Sequence, residues 1–134
     1  MSEEISEEEG FANAFFYFIK ALRILAADAD TQCERMGNYN VAWELKDDVS
    51  AGAYLLGLPG GALTQEEKDG IAVMVAALNG LPASLLVAAT TEAANKKAMN
   101  DPSWVSLRAR ASELLSLLAA TTRRNDAFLD ATRK

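Results

Sequence analysis

Residues 11–27 read FANAFFYFIKALRILAA and form the most apolar stretch of the chain. This segment holds four of the five phenylalanines, and only Asn13, Lys20 and Arg23 interrupt it. Apolar residues recur in it at spacings of three and four, the period of one helical face, and a second apolar stripe nearly closes the circle. The first stripe consists of Phe11, Phe15, Phe18, Leu22 and Leu25. The pattern predicts a central helix, buried on most sides, with the other helices packed around it.

The same segment does not predict a membrane span. A spanning helix needs about 20 apolar residues, whereas this run is shorter and contains Lys20 and Arg23. The first ten residues, MSEEISEEEG, are acidic where a secretory signal peptide is basic. We therefore expect a core helix in a cytoplasmic protein, with no membrane partner.

Length and composition indicate one domain. Half of the 134 residues are apolar, which is enough for a single hydrophobic core. Cys33 is the only cysteine, so no internal disulfide can form, and this fits a reducing compartment. We predict a flexible leader at residues 1–5 and one helical domain at residues 6–134.

The chain lacks the residue sets of most enzymes. It has no histidine, which is the commonest general base and metal ligand, and no Cys/His cluster for zinc. It also lacks a glycine-rich phosphate loop and a Ser/His/Asp set. A structural role is favoured for Cys33, although Arg35 could lower the pKa of its thiol. The leading interpretation has no catalytic residue and no cofactor.

Charge is unevenly distributed along the sequence, whose net charge is −6. Residues 1–80 carry 5 basic and 14 acidic side chains, a net charge of −9, while residues 81–134 carry 8 basic and 5 acidic, a net charge of +3. The acidic part disfavours nucleic acid and suits a partner protein with a basic surface. Solubility alone is the other explanation of the acidity.

Two acidic residues after the apolar segment, Asp28 and Asp30, predict that the first helix is interrupted there. Asp28 and Asp30 would lie near its C-terminal end, where the helix dipole disfavours negative charge. Thr31 and Glu34 match a capping box that would restart the helix. We therefore predict a kink near 28–31.

The other boundaries follow from caps, glycines and prolines. The second helix is predicted over about residues 41–56, and the last as one continuous helix through Trp104 and Phe128. No segment shows the alternation of a β-strand. The predicted starts of the helices lie at Ser6, Asn40, Thr64, Pro82 and Asp101. The fold predicted is an all-α bundle of five helices, or six if the first helix breaks.

Acidic and aromatic residues concentrate between residues 28 and 48, on both sides of a predicted turn. Because the turn joins two helix ends, we expect these side chains to share one end of the bundle. Acids steer a basic partner, and aromatic anchors supply affinity. The predicted partner-binding residues are Asp28, Asp30, Glu34, Tyr39, Trp43, Glu44, Asp47 and Asp48.

An alternative interpretation uses four of these carboxylates as a metal site. Glu44 and Asp47 are three residues apart on one helix, and with Asp30 and Glu34 they could hold Mg²⁺ through oxygen ligands. The ELKD segment that Glu44 begins resembles the ExxD half of all-α NTP pyrophosphohydrolases of the MazG and dimeric dUTPase type. That resemblance implies an Mg²⁺-dependent nucleotide hydrolase. The chain departs from the family's ExxE half, because Gly37 stands three residues after Glu34.

The leading functional prediction is a small acidic cytoplasmic module that binds a basic protein, in the manner of an immunity protein, an antitoxin or a secretion adaptor. It depends on charge, size and the missing catalytic sets. The alternatives are the Mg²⁺-dependent hydrolase and an oligomeric structural scaffold, and a homodimer is compatible with each.

Overall fold

The computed structural model describes residues 6–37, 40–58, 63–87 and 91–132, and every regular element in these ranges is helical. The all-α prediction is confirmed, but the predicted count of five or six helices is wrong. The predicted leader at residues 1–5 lies outside the described residues. The described elements are α1 (Glu7–Leu25), α2 (Ala29–Met36), α3 (Val41–Ser50), the 3₁₀ helix η1 (Ala51–Gly57), α4 (Gln65–Asn79), the 3₁₀ helix η2 (Ala83–Leu86), α5 (Glu92–Met99), α6 (Ser103–Leu117) and α7 (Ala119–Thr132).

The break after α1 lies where the sequence predicts it, but with a different cap. The carboxylate of Asp28 accepts a hydrogen bond from the backbone N–H of Thr31 at 2.8 Å, so Asp28 is the N-cap of α2. This hydrogen bond lowers the pKa of Asp28. The predicted capping box of Thr31 and Glu34 is therefore wrong. The acid that seemed misplaced at the end of α1 instead stabilises the start of α2.

The core is shared between α1 and other helices. α1 packs against α2, α3, η1, α6 and α7, and its Phe15, Leu22 and Leu25 are fully buried. α4 packs mainly on α3, η1 and α6, and α5 packs mainly on α2 and α3. The prediction that the other helices pack around α1 is therefore wrong, because α4 and α5 pack mainly on other elements. The buried Trp104 of α6 and Leu45 of α3 belong to the same core.

A buried glutamine ties four helices together. The side-chain amide of Gln32 donates to the Leu25 carbonyl at 2.9 Å, and its oxygen accepts from Arg108 at 3.0 Å. Arg108 also donates to the Met99 carbonyl. Burial lowers the pKa of the Arg108 guanidinium, and the negative charge of Asp28 opposes that shift. These bonds fix the end of α1, α2, α5 and α6 relative to one another.

The predicted last helix is two helices, separated at Leu118. Thr121, near the start of α7, donates to Glu67 Oε2 at 2.5 Å. Glu67 also completes the predicted capping box of α4, since its Oε1 accepts from the Thr64 N–H at 2.9 Å. Arg124 donates to the Thr121 hydroxyl at 2.9 Å. One buried carboxylate thus caps α4 and bonds the start of α7 to the start of α4.

Two further boundaries differ from the predictions. The helix predicted from Pro82 is the short η2, followed after a gap in the described residues by α5, whose N-cap is Thr91. The predicted second helix ends at Ser50, and η1 continues it. Within η1, a Cβ atom on Gly52 would lie 2.6 Å from Cδ1 of Phe18, so glycine allows η1 to pack directly on α1.

Across the described ranges, none of the helices combines the length and the apolar character needed to cross a membrane.

Candidate functional site

A groove of about 630 Å³ lies between α1 and the continuous α3–η1 segment, and we call it the α1–α3 groove. Its apolar lining consists of Ala14, Phe18, Ala21, Ile24, Met36 and Ala51. Its polar and aromatic lining consists of Tyr17, Lys20, Arg35, Asp47, Asp48 and Tyr54. An apolar cleft with a few polar groups around it is the usual form of a binding site.

Helical spacing explains why these side chains line one groove. On α1 the lining residues from Tyr17 to Ile24 recur every three or four positions, as do those from Asp47 to Tyr54 on the opposite side. Residues 14–24 rise about 15 Å along the helix axis. The groove is therefore long enough for about three turns of a partner helix.

Two exposed tyrosines flank the groove. Tyr17 and Tyr54 are each 66% exposed, and the Tyr17 ring meets Phe16 edge-on with centroids 5.4 Å apart. Exposed aromatic side chains beside an apolar floor are typical of binding hot spots. The sequence prediction missed Tyr17 because it treated α1 as buried on nearly all sides. The signal available was Lys20, which lies on the same helical face as Tyr17.

An acidic pair lies at the groove opposite α1. Burial, followed by the negative charge of Asp47, raises the pKa of Asp48. Lys20 and Arg35 line the same groove, but neither forms an ion pair within 4.0 Å of these acids in the described part of the chain. The Asp48 carboxyl is only partly withdrawn from water and the residue as a whole remains exposed, so solvent screens much of the repulsion. Both carboxylates are therefore accessible to a cationic side chain of a partner protein.

Asp30 and Glu34, which the sequence places in the same surface, face a different cavity. This cavity of about 510 Å³ lies between α2 and α5 and is also lined by Cys33, Gly37, Glu92, Asn95 and Lys96. Lys96 pairs with Glu92 at 3.2 Å, and the pKa of Lys96 is raised by Glu92 and, less, by Asp30. The structure therefore does not bring Asp30 and Glu34 to the acids of the α1–α3 groove.

The remaining predicted residues occupy separate places. Asp28 caps α2, and its charge acts on Arg108. Trp43 is 52% exposed on α3, and Glu44 is partly buried beside it, but neither lines the groove. Tyr39 lies outside the described residues, so its role as an anchor stays a prediction.

The four carboxylates of the Mg²⁺ hypothesis do not meet in one cavity. Asp30 and Glu34 face α5, while Asp47 lines the α1–α3 groove and Glu44 lines neither. Within the ranges that the structure describes, no three side chains of Asp, Glu and Cys are grouped so that they could hold a metal ion. The described geometry gives no support to a nucleotide hydrolase.

Burial and Lys96, rather than Arg35, act on the pKa of the Cys33 thiol. Burial raises the pKa of its thiol, and the positive charge of Lys96 opposes the shift. Arg35 does not lower that pKa; its side chain lines the α1–α3 groove instead. A buried thiol with a raised pKa has little thiolate and is suited to packing.

No protein family matches the chain, and no curated protein or solved structure matches it significantly. Function is therefore inferred from the groove and its charges.

Proposed function

We propose that the protein is a non-catalytic binding module that holds a segment of a basic partner protein in the α1–α3 groove. The observation that carries this proposal is an apolar floor flanked by two largely exposed tyrosines and an acidic pair without a close cation in the described ranges. Such a surface combines apolar area for affinity with charge for orientation.

The shape of the groove favours a helical segment. Its sides are an α-helix and a helix continued by a 3₁₀ turn, with an apolar floor between them. An amphipathic helix placed in such a groove buries residues at spacings of three and four. Tyr17 and Tyr54 would cover the apolar face of that helix, and their hydroxyls would stay in water.

The charge of the chain favours a basic partner. All lining residues of the groove belong to residues 1–80, which carry a net charge of −9. Burial and, less, the charge of Asp47 raise the pKa of the Asp48 carboxyl, and a Lys or Arg of the partner beside it would favour its ionised form. An immunity protein, an antitoxin or a secretion adaptor in the cytoplasm would use such a surface to cover part of its target.

Affinity capture from the native cell extract tests the proposal with three baits. They are the wild type, a groove variant carrying Tyr17→Ala and Tyr54→Ala, and a control carrying Val87→Ala and Val105→Ala. The two valines are exposed, at 76% and 63%, and lie outside the groove. We expect a partner retained by the wild type and the control and lost by the groove variant, with all three baits equally folded by circular dichroism. Equal capture by all three would contradict the proposal.

A further inference from the structure

A second groove lies on another face, between α4 and α6, and shares no lining residue with the first. We call this cavity of about 390 Å³ the α4–α6 groove. It is lined by Asp69, Gly70, Val73, Met74, Arg110, Glu113, Leu114 and Leu117. Nothing in the proposed function requires this surface.

The α4–α6 groove exposes apolar surface around a shallow floor. Val73 is 52% exposed and Leu117 is 36% exposed, while Met74 and Leu114 beneath them are buried. A Cβ atom on Gly70 would lie 3.0 Å from Cδ1 of Leu114 and 3.1 Å from Cδ2 of Leu117. A larger residue at this position would fill the groove, so Gly70 keeps it open.

The sides of this groove carry both signs of charge. Asp69 lies on α4, and Arg110 and Glu113 lie on α6. Asp69 accepts a hydrogen bond from the neutral side chain of Gln65 at 2.8 Å. In the described part of the chain, none of the three charged groups has an opposite charge within 4.0 Å. The groove therefore presents one cation and two anions beside exposed apolar side chains.

We infer that a second copy of this chain occupies the α4–α6 groove in a two-fold symmetric homodimer. In such a dimer the same patch meets itself, and a contact from one residue to another occurs twice. A two-fold axis passing between Arg110 and Asp69 places Arg110 of each copy at Asp69 of the other. Each copy contributes one Arg110 and one Asp69, so the dimer contains two ion pairs. The same contact covers Val73 and Leu117. A second copy already carries the complementary charges that another protein would have to supply.

Sedimentation velocity over a range of concentrations tests the interface. Val73→Glu should weaken dimerisation at least tenfold, because it places a charge in the apolar contact. Val105→Glu is the matched control, since Val105 is 63% exposed on α6 but does not line the groove. We expect it to dimerise like the wild type. A wild type that stays monomeric at millimolar concentration, or a dimer that Val73→Glu leaves intact, would overturn the inference.

A charge exchange tests the pairing itself. Arg110→Glu alone and Asp69→Arg alone should each weaken the homodimer, because each sets like charges opposite one another. An equimolar mixture of the two variants recreates both opposite-charge contacts and should dimerise more tightly than either variant. A mixture no tighter than its components would rule out this pairing. The Tyr17→Ala and Tyr54→Ala variant should leave dimerisation unchanged, so this test can fail independently of the proposed function.

Discussion

Gly52 determines how closely η1 approaches α1. A methyl group at this position would collide with the ring of Phe18, which is buried in the core and also lines the α1–α3 groove. We expect Gly52→Ala to lower the free energy of unfolding by about 1–3 kcal/mol, the usual effect of overpacking. Urea denaturation measures this loss. Gly57→Ala in the same 3₁₀ helix is the control, because a Cβ there meets nothing within 4 Å. Equal effects of the two variants would disprove the steric explanation.

Residue identity alone identified some of the exposed groups and missed others. Trp43 and Asp47 were predicted at the surface, and both are exposed on α3. Tyr17 was missed because its neighbours in sequence are phenylalanines, and the average apolar character of α1 hides its one exposed face. Asn13 and Lys20, about one turn before and one turn after Tyr17, are the local signs of that face.

At the scale of single elements, the α2 cap makes stability depend on pH. The pKa of Asp28 is lowered in the folded protein by its bond to the Thr31 N–H. The ionised carboxylate therefore stabilises the fold above the unfolded pKa of about 3.9. That contribution is lost as the pH falls through the lower folded value.

Thermal melts from neutral to strongly acidic pH test this cap. Asp28→Asn keeps an oxygen that can accept the Thr31 bond but removes the charge, so its melting temperature should fall less steeply with acid than that of the wild type. Asp126→Asn removes an exposed acid from α7 and provides the control for net charge. If Asp28→Asn and the wild type show parallel acid profiles, the ionised cap contributes nothing.

The start of α7 depends on a contact that is distant in sequence. Thr121 donates to Glu67 across 54 positions, and both side chains are buried. Thr121→Val keeps the shape but removes the hydroxyl, so it should cost about 1.5–3 kcal/mol, the range for a hydrogen bond to a charged group. Thr122→Val is the control, because that hydroxyl bonds only the carbonyl of Leu118, in its own turn. Equal losses of unfolding free energy in the two variants would count against this role of Glu67.

Local signals predicted the boundaries that a few neighbouring residues decide. The caps at Ser6, Asn40 and Thr64 are present as predicted, because a cap forms within four residues of sequence. The break at Leu118 was not predicted, since it accompanies a contact between residues far apart in the chain. Asp28 was assigned to the wrong helix because an acid after one helix and an acid before the next have the same local sequence.

At the scale of the whole molecule, the acids predicted as one cluster are divided between different surfaces. Helix α2 separates them: Asp30 and Glu34 face α5, and Asp47 faces the α1–α3 groove. The acidic segment is evident in the sequence, but the rotation of α2 about its axis decides where Asp30 and Glu34 point, and the buried bonds of Gln32 hold that rotation.

This division leads to a prediction about metal binding. Mg²⁺ or Mn²⁺ should not raise the melting temperature, because a stabilising ion needs several converging ligands in the native state. Differential scanning fluorimetry with the wild type and Glu44→Gln checks this expectation. A rise with millimolar metal that Glu44→Gln abolishes would instead support the hydrolase hypothesis.

The acidic and aromatic side chains of the α1–α3 groove should affect different rate constants of binding. Asp47 and Asp48 should act on association, since exposed charges steer a basic partner. Tyr54 should act on dissociation, since apolar contact is formed only in the bound complex. Salt should slow association, because charges are screened over about 8 Å at physiological ionic strength.

The most direct test is binding kinetics with the captured partner, measured by surface plasmon resonance at low and high salt. We predict that the wild type associates more slowly at high salt, that Asp47→Asn with Asp48→Asn slows association at low salt, and that Tyr54→Ala speeds dissociation. Glu66→Gln with Asp126→Asn removes the same charge away from the groove and should change association less. If association is independent of salt and both groove variants bind like the wild type, the α1–α3 groove is not the binding site.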